Sequence, residues 1–447
     1  MKPWRQRVSR RLRTLLCLPA IVFFLWIVLP YDHPLRLSAR FNLKAFGAAL
    51  SPNFSGRWWF TEQPTFPVAI SDDVAVLMKS GFGTKDRISA WLEAHEQDQF
   101  NNLLLIGDFA TQPGQLFSYN GRRLPVHDLV AWMLEKGYLP ADLIHSRLTK
   151  YSDLVAAISS DDMDAARELS KSFGWEMDAL KFISGLELCY DLMPDKKWYI
   201  MADDDTYLMQ PALKRLLEHL DPEVPYYVGN AVGDYKGRFA HGGSSVILSR
   251  ATMRLLFSHH DVVISAHLES LEETWGDKLL ATTLLKIGVY LDEEYAIFFN
   301  GEPPRDMRVT EDRLCAPIVS FHRLSPSEMI NVGRRFQHRG ELLLWIDLWD
   351  IYGAPSLDSP ILETGRVDWD HVGGLDETTM TVKDIQSAQN CIQICHNYSK
   401  TCLAWTWEKE EQACHVSNWM VPGDKARGKM SGINVPRAKS LVNDCRS

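Results

Sequence analysis

Three short, uncharged, apolar runs constrain the fold most: Val74–Met78 (VAVLM), Leu103–Ile106 (LLLI) and Trp198–Ala202 (WYIMA). None alternates polar with apolar, so both faces of each must be covered, as in the central strands of a parallel sheet flanked by helices. Between the first two lies DRISAWLEAHEQ, a helical stretch expected to start with Thr84 as its N-cap. Strand, helix and strand at this spacing form a βαβ unit, which binds ligands at the carboxyl ends of its strands. Helices are expected at 161–173, 175–190, 210–220 and 279–287, and short strands at 226–228, 244–248 and 318–321. The fold class is α/β.

The flanks set the organisation. A chain of 447 residues exceeds one core's usual size, so two folded units are expected. Residues 1–14 carry Lys2, Arg5, Arg7, Arg10, Arg11 and Arg13 and no acid, which leaves 42 basic against 57 acidic residues in the remainder. So acidic a body argues against nucleic acid as a partner. After the basic run, Leu15–Leu29 (LLCLPAIVFFLWIVL) contains no charge. It would rise about 22 Å as a helix, short against a hydrocarbon core of roughly 30 Å, so a cleaved signal peptide competes with a membrane anchor. The exit at Val28-Leu29-Pro30 lacks a small-x-small cleavage site, and Trp26 and Tyr31 suit an interface, which favours the anchor. The expected organisation is a cytoplasmic tail (1–14), a transmembrane signal anchor (15–31), a luminal stem (32–68), the α/β domain (69–345), a Pro- and Gly-punctuated linker (346–371) and a cysteine-rich module (372–447). Five of the eight cysteines fall in the last 57 residues, a density suited to disulfides in an oxidising lumen. Asn53 and Asn397 head glycosylation tripeptides.

The chemistry centres on Asp203-Asp204-Asp205. Three adjacent carboxylates repel one another and need a cation or donors. Where a buried strand breaks into a loop, they offer hard oxygens to Mn²⁺ or Mg²⁺. A solvated helix N-cap is the competing account. The spacings Asp162-x-Asp164 and Asp368-x-Asp370 do not follow such a strand and are assigned no chemistry.

KWYIMADDDTYL, then FAHGGSSVILSR, WGDKLLATTLLKIGV and SFHRLSP, stand in the order of the motifs of Fringe-like and core-1-type β-1,3-glycosyltransferases, and residues 70–330 resemble that family, closest to its fungal branch. The resemblance implies a GT-A type nucleotide-sugar transferase fold, a UDP-sugar donor, a glycan or glycoprotein acceptor and an inverting mechanism at the Golgi membrane. It gives Asp205 and His322 as metal ligands, Asp203 toward the ribose and uracil, and Asp277 as general base, with Glu272 and Glu273 as nearby alternatives. Gly276 before Asp277 departs from the family's usual acidic pair. Gly242 and Gly243 would let backbone approach sugar or diphosphate. Lys79, Ser80, Arg87, Asp108 and Asp204 would surround the nucleotide. Asp178 and Lys181 would form an ion pair or reach the nucleotide themselves. The C-terminal spacing resembles a PAN/apple domain, which implies the pairs Cys391–Cys414 and Cys395–Cys402 and leaves Cys445 without a mate. A non-catalytic glycan-binding scaffold and a metal-dependent UDP-sugar hydrolase are the alternative functions.

Overall fold

The computed structural model describes residues 26–50, 63–96, 100–111, 115–140, 142–234, 237–336, 340–398 and 400–446. Most of Leu15–Leu29, Asn53 and Ser399 of the second glycosylation tripeptide lie outside them. Among the described residues, no helix is long and apolar enough to cross a membrane.

The expected stem contains a helix, α1 (Pro34–Leu50). Its sequence has only Pro34 and Gly47 as breakers, both near its ends. The central sheet then forms in chain order from β1 (Val74–Lys79), β2 (Asn102–Gly107), β3 (Val126–Asp128), β4 (Trp198–Asp203), β6 (Tyr227–Gly229) and β7 (Val246–Ser249), while β5 (Tyr207–Leu208) lies outside it. Its spatial order is β3-β2-β1-β4-β7-β6. The first four strands are parallel, and β7 is antiparallel to β4. The three apolar runs are thus adjacent central strands, with Val74–Met78 and Trp198–Ala202 at 0–1% exposure.

Helices cover both faces: α2 (Asp86–Ala94), α3 (Ser146–Ser159), α4 (Met163–Phe173), α5 (Phe182–Leu192), α6 (Gln210–Glu218), α7 (Arg250–Ser258), α8 (His260–Glu269) and α9 (Gly276–Lys286). Two separate apolar clusters result, one on each face of the sheet. Thr84 is not the cap of α2. It ends a 3₁₀ turn, Phe82–Thr84, and its hydroxyl turns instead to Gly81 N and Asp204. The helix expected over 175–190 begins as a 3₁₀ turn, Gly174–Lys181, before α5.

Further along, β8 (Val309–Thr310), β9 (Ser320–Phe321) and α10 (Pro326–Phe336) complete this part. The expected linker is not a tether: Leu348, Trp349 and Leu362 are buried in the main core, and Arg366–Asp370 forms β10. Pro and Gly here mark turns between buried apolar anchors. Five antiparallel strands follow in the spatial order β10-β15-β12-β13-β11, from β11 (Met380–Val382), β12 (Ala404–Glu408), β13 (Ala413–Ser417) and β15 (Asp424–Ile433), with α11 (Ala388–Tyr398) packed on them. Cys391–Cys414 ties α11 to β13, and Cys395–Cys402 ties it to the loop that leads into β12. Cys445, on the last helix (Val435–Arg446), bonds to Cys315 across 130 residues. Strand β8 also pairs with β14 (Trp419–Met420), so backbone and disulfide together join the C-terminal sheet to the body.

Candidate active site

The pairing of β1 with β4 sets Lys79 beside Asp203 at the carboxyl edge of the sheet, and Asp204 N donates to Lys79 O. The acidic triplet therefore starts where two buried parallel strands end. A cleft of about 770 Å³ opens there, and every residue expected to act lines it. The alternatives Glu272 and Glu273 do not; they pair with His145 and Lys278 instead.

The three aspartates take different environments. Asp204 is buried and its oxygens are committed: Oδ2 accepts from Ser80 Oγ at 2.7 Å and Thr84 Oγ1 at 2.6 Å, and Arg87 Nη1 lies 3.3 Å from Oδ1. Burial pushes its carboxyl up to about 6. It fastens the triplet to the loop after β1. Asp203 and Asp205 stay available. Each has an Oδ1 that is buried and accepts no hydrogen bond of ordinary geometry, although Lys79 Nζ lies 2.9 Å from Asp203 Oδ1.

His322 reaches them through a short register. Ser320–Phe321 pairs with Leu208–Tyr207, one residue beyond the triplet, which brings the residue after β9 to the triplet's end. Its Nε2 lies 3.2 Å from Asp205 Oδ1, and its Nδ1 lies 3.2 Å from Gly301 O. A carbonyl can only accept, so Nδ1 carries a proton and Nε2 is the nitrogen turned to Asp205, a donor to it when protonated and a lone pair for a cation when not. Burial alone would lower the His322 pKa, but Asp205 and Asp203 outweigh it and raise it. Burial would likewise raise Asp205, and His322, Arg87 and Lys79 hold it below the usual range. Ligand atoms of Asp203, Asp205 and His322 all lie within 4.8 Å of one another. Two carboxylates and one imidazole, with under-satisfied buried oxygens, fit a hard divalent cation. Asp203, expected on the ribose side, belongs to this donor set.

The lysines are paired differently from expectation. Asp178 pairs with Lys79, not with Lys181. Lys181 is 2.9 Å from the buried Asp108 and donates to Ser80 O at 2.8 Å, while Asp108 Oδ1 accepts from Phe82 N. These bonds shape the loop after β1, while Arg87, about one-third exposed, lies 3.0 Å from Asp205 Oδ2. Burial opposes charge on Lys79, yet Asp178 and Asp203 hold its pKa above the ordinary value.

Both glycines of the Gly242-Gly243 pair meet side chains of the site. A Cβ on Gly243 would stand 2.3 Å from His322 Nε2, so glycine here makes room for the imidazole. Gly242 N donates to Asp277 Oδ2 at 2.8 Å, and Lys278 N donates to Oδ1 at 2.8 Å. Burial nonetheless pushes Asp277 up to about 6. Gly276 is required because a Cβ there would meet Phe182 at 2.2 Å and the Ala179 Cα at 2.9 Å.

Three lining residues escaped the sequence reading. His241, 5.3 Å from His322 ring to ring, is lowered to about 4 by burial and the neighbouring imidazole, and is neutral. Trp175 and Trp275 line the cleft yet are 60% and 54% exposed. Large aromatics left open beside buried carboxylates were the available signal.

Residues 156–275 match the Fringe-like family model, a span that holds the triplet and Gly242-Gly243 and ends before Asp277 and His322. The chain is 24% identical to the Glycoprotein-N-acetylgalactosamine 3-beta-galactosyltransferase 1 of Xenopus laevis over 157 residues, 30% of this chain and 44% of that one. It is 30% identical to the Chondroitin sulfate glucuronyltransferase of Homo sapiens over 95 residues, 20% of this chain and 12% of that one. The chain thus spans less than half the length of each of these relatives. The family-model match covers only part of the cleft, from Ser170 to Trp275.

Proposed function

We propose that this chain is an inverting, metal-dependent glycosyltransferase of GT-A type that moves a hexose or N-acetylhexosamine from a UDP-sugar to a glycan, forming a β-1,3 bond. The observation that carries the proposal is a division of labour among carboxylates in one cleft. Asp203 and Asp205 converge with His322 at the strand ends, while Asp277, its pKa raised by burial to about 6, stands apart on α9.

A divalent cation held by Asp203, Asp205 and His322 would supply positive charge against the diphosphate. Lys79 and Arg87 add fixed charge on the same side, with Ser80 and the Asp108–Lys181 pair shaping the loop. Asp277 removes the proton from the acceptor hydroxyl as its oxygen bonds to the anomeric carbon, and the bond to UDP breaks with its electron pair leaving on UDP. A carboxyl near 6 is ionised at neutral pH yet basic enough to take that proton. Trp175 and Trp275 offer faces on which the C–H side of a pyranose can stack.

The remaining parts of the proposal rest on sequence: a single-pass type II anchor at Leu15–Leu29, a Golgi location, and a PAN/apple-like fold for the C-terminal sheet and helix. The test is UDP release from several UDP-sugars with Mn²⁺ and a glycan panel. Release that depends on acceptor supports transfer. Equal release without acceptor means hydrolysis, and none with any donor means a binding scaffold.

A further inference from the structure

Helix α1 has two different apolar faces. Leu37, Arg40, Phe41 and Lys44 turn toward Tyr290 and Leu291 of the body and line a groove with them. Arg40 stacks 4.1 Å over the Tyr290 ring, and Tyr290 Oη donates to Tyr31 O at 2.9 Å. The other face carries Leu35, Leu43 and Phe46, one stripe at helical spacing, and these are 65%, 66% and 64% exposed. A soluble surface rarely leaves three such side chains together on one docked helix.

What covers them follows from what precedes them. The charge-free run Leu15–Leu29 ends five residues before α1 begins. Arg36 ties its last residues to the helix: Nη1 donates to Leu29 O at 2.8 Å, and the guanidinium lies over the rings of Trp26 and Tyr31 at 4.9 and 4.4 Å. Ile27 and Val28, 63% and 59% exposed, therefore belong to the same unit as the open stripe. Wherever that run meets a bilayer, α1 must lie within a few residues' reach of the same surface.

We infer that α1 is a membrane-surface helix: Leu35, Leu43 and Phe46 enter the headgroup–acyl boundary of the bilayer while the opposite face holds the body. The geometry is that of interfacial helices, whose apolar side sinks a few Å below the headgroups. Because the docked face is fixed to Tyr290, the cleft is then carried at one set tilt to the bilayer. The inference rests on the anchor proposed above, and it can fail while the anchor stands.

The test uses the full chain in phosphatidylcholine vesicles with Cys17→Ala, Cys189 being buried. A nitrobenzoxadiazole probe goes on Leu43→Cys or, as a control, on Asp164→Cys, whose side chain is 97% exposed. Lipids brominated or doxyl-labelled near the headgroup should quench roughly half or more of the Leu43 emission and leave the control unchanged. An unquenched Leu43 probe in protein that resists alkaline carbonate extraction would overturn the surface helix and leave the anchor standing. Protection of Leu43 from aqueous iodide without lipid quenching would mean a second copy covers the stripe, and would also overturn it. Release of the chain by carbonate would remove the anchor and this inference together.

Discussion

Replacing Gly243 by Ala tests the site through a residue that need not touch any ligand. Gly243 is absent from the positive-φ glycines, so its backbone accepts alanine. The obstacle is His322: the new Cβ would meet Nε2 and Cε1 at 2.3 Å and Cδ2 at 2.9 Å. The imidazole must retreat by about 1 Å to reach ordinary van der Waals distance. It is held from behind by Gly301 O, so retreat also strains the bond that fixes its tautomer. A displacement of about 1 Å in a positioned group costs on the order of 10²-fold in rate, and overpacking adds about 1–3 kcal/mol of destabilisation. The assay is Mn²⁺-dependent, acceptor-dependent UDP release, with a thermal melt on the same samples. His322→Ala alone and combined with Gly243→Ala complete a cycle. The double variant should melt like His322→Ala and be no less active than it, because removing the ring removes the clash. If Gly243→Ala keeps wild-type rate and the same Mn²⁺ requirement, His322 does not act where the structure puts it, and the reasoning fails.

Asp277→Asn should retain UDP binding and lose roughly 10²-fold or more in turnover, as loss of a general base does; unchanged turnover would remove Asp277 from that role. The kcat/KM profile should fall as pH drops through about 6, where Asp277 takes up a proton. The folded chain binds that proton more tightly than the unfolded chain, so acidification over this window adds stability through Asp277 while it removes activity. A profile flat from 5 to 7, an interval bracketing the value near 6, would refute the assignment. Trp275→Ala and Trp175→Ala should raise acceptor KM several-fold, worth about 1 kcal/mol each, and leave donor KM unchanged; a donor effect would point to the uracil instead. Cys445→Ser opens a covalent link across 130 residues and should cost about 2–5 kcal/mol on thermal or denaturant unfolding; an unchanged melt would mean the strand pairing of Trp419–Met420 holds the C-terminal part alone.

How far the sequence speaks depends on how local the signal is. The runs at 74–78, 103–106 and 198–202 are legible because a strand buried on both faces has no alternative composition, and they give the central sheet directly. The triplet's position follows, since Asp203 is the last residue of such a strand. Pairings across the fold are another matter. Nothing in the sequence says that Lys79 takes Asp178 while Lys181 takes Asp108, because all four carry side chains of ordinary reach and only packing of the Gly174–Lys181 turn decides. Asp204 looks like its neighbours in the sequence and differs only because Ser80 and Thr84 close over it. The mate of Cys445 lies 130 residues away, beyond any spacing rule. The segment 346–371 misleads for the opposite reason: its Pro and Gly signal turns, and turns between buried apolar anchors read like a linker. His322 was reachable only through family resemblance, since a lone histidine after a short strand carries no local signature.

The most direct test of the account is electron paramagnetic resonance of Mn²⁺ titrated into the purified chain with UDP, for wild type and Asp205→Ala. The account predicts one tightly held Mn²⁺ per wild-type chain, with the free-ion signal restored in the variant and UDP affinity lost with it. Equal Mn²⁺ uptake by both, or no uptake by the wild type, would contradict it.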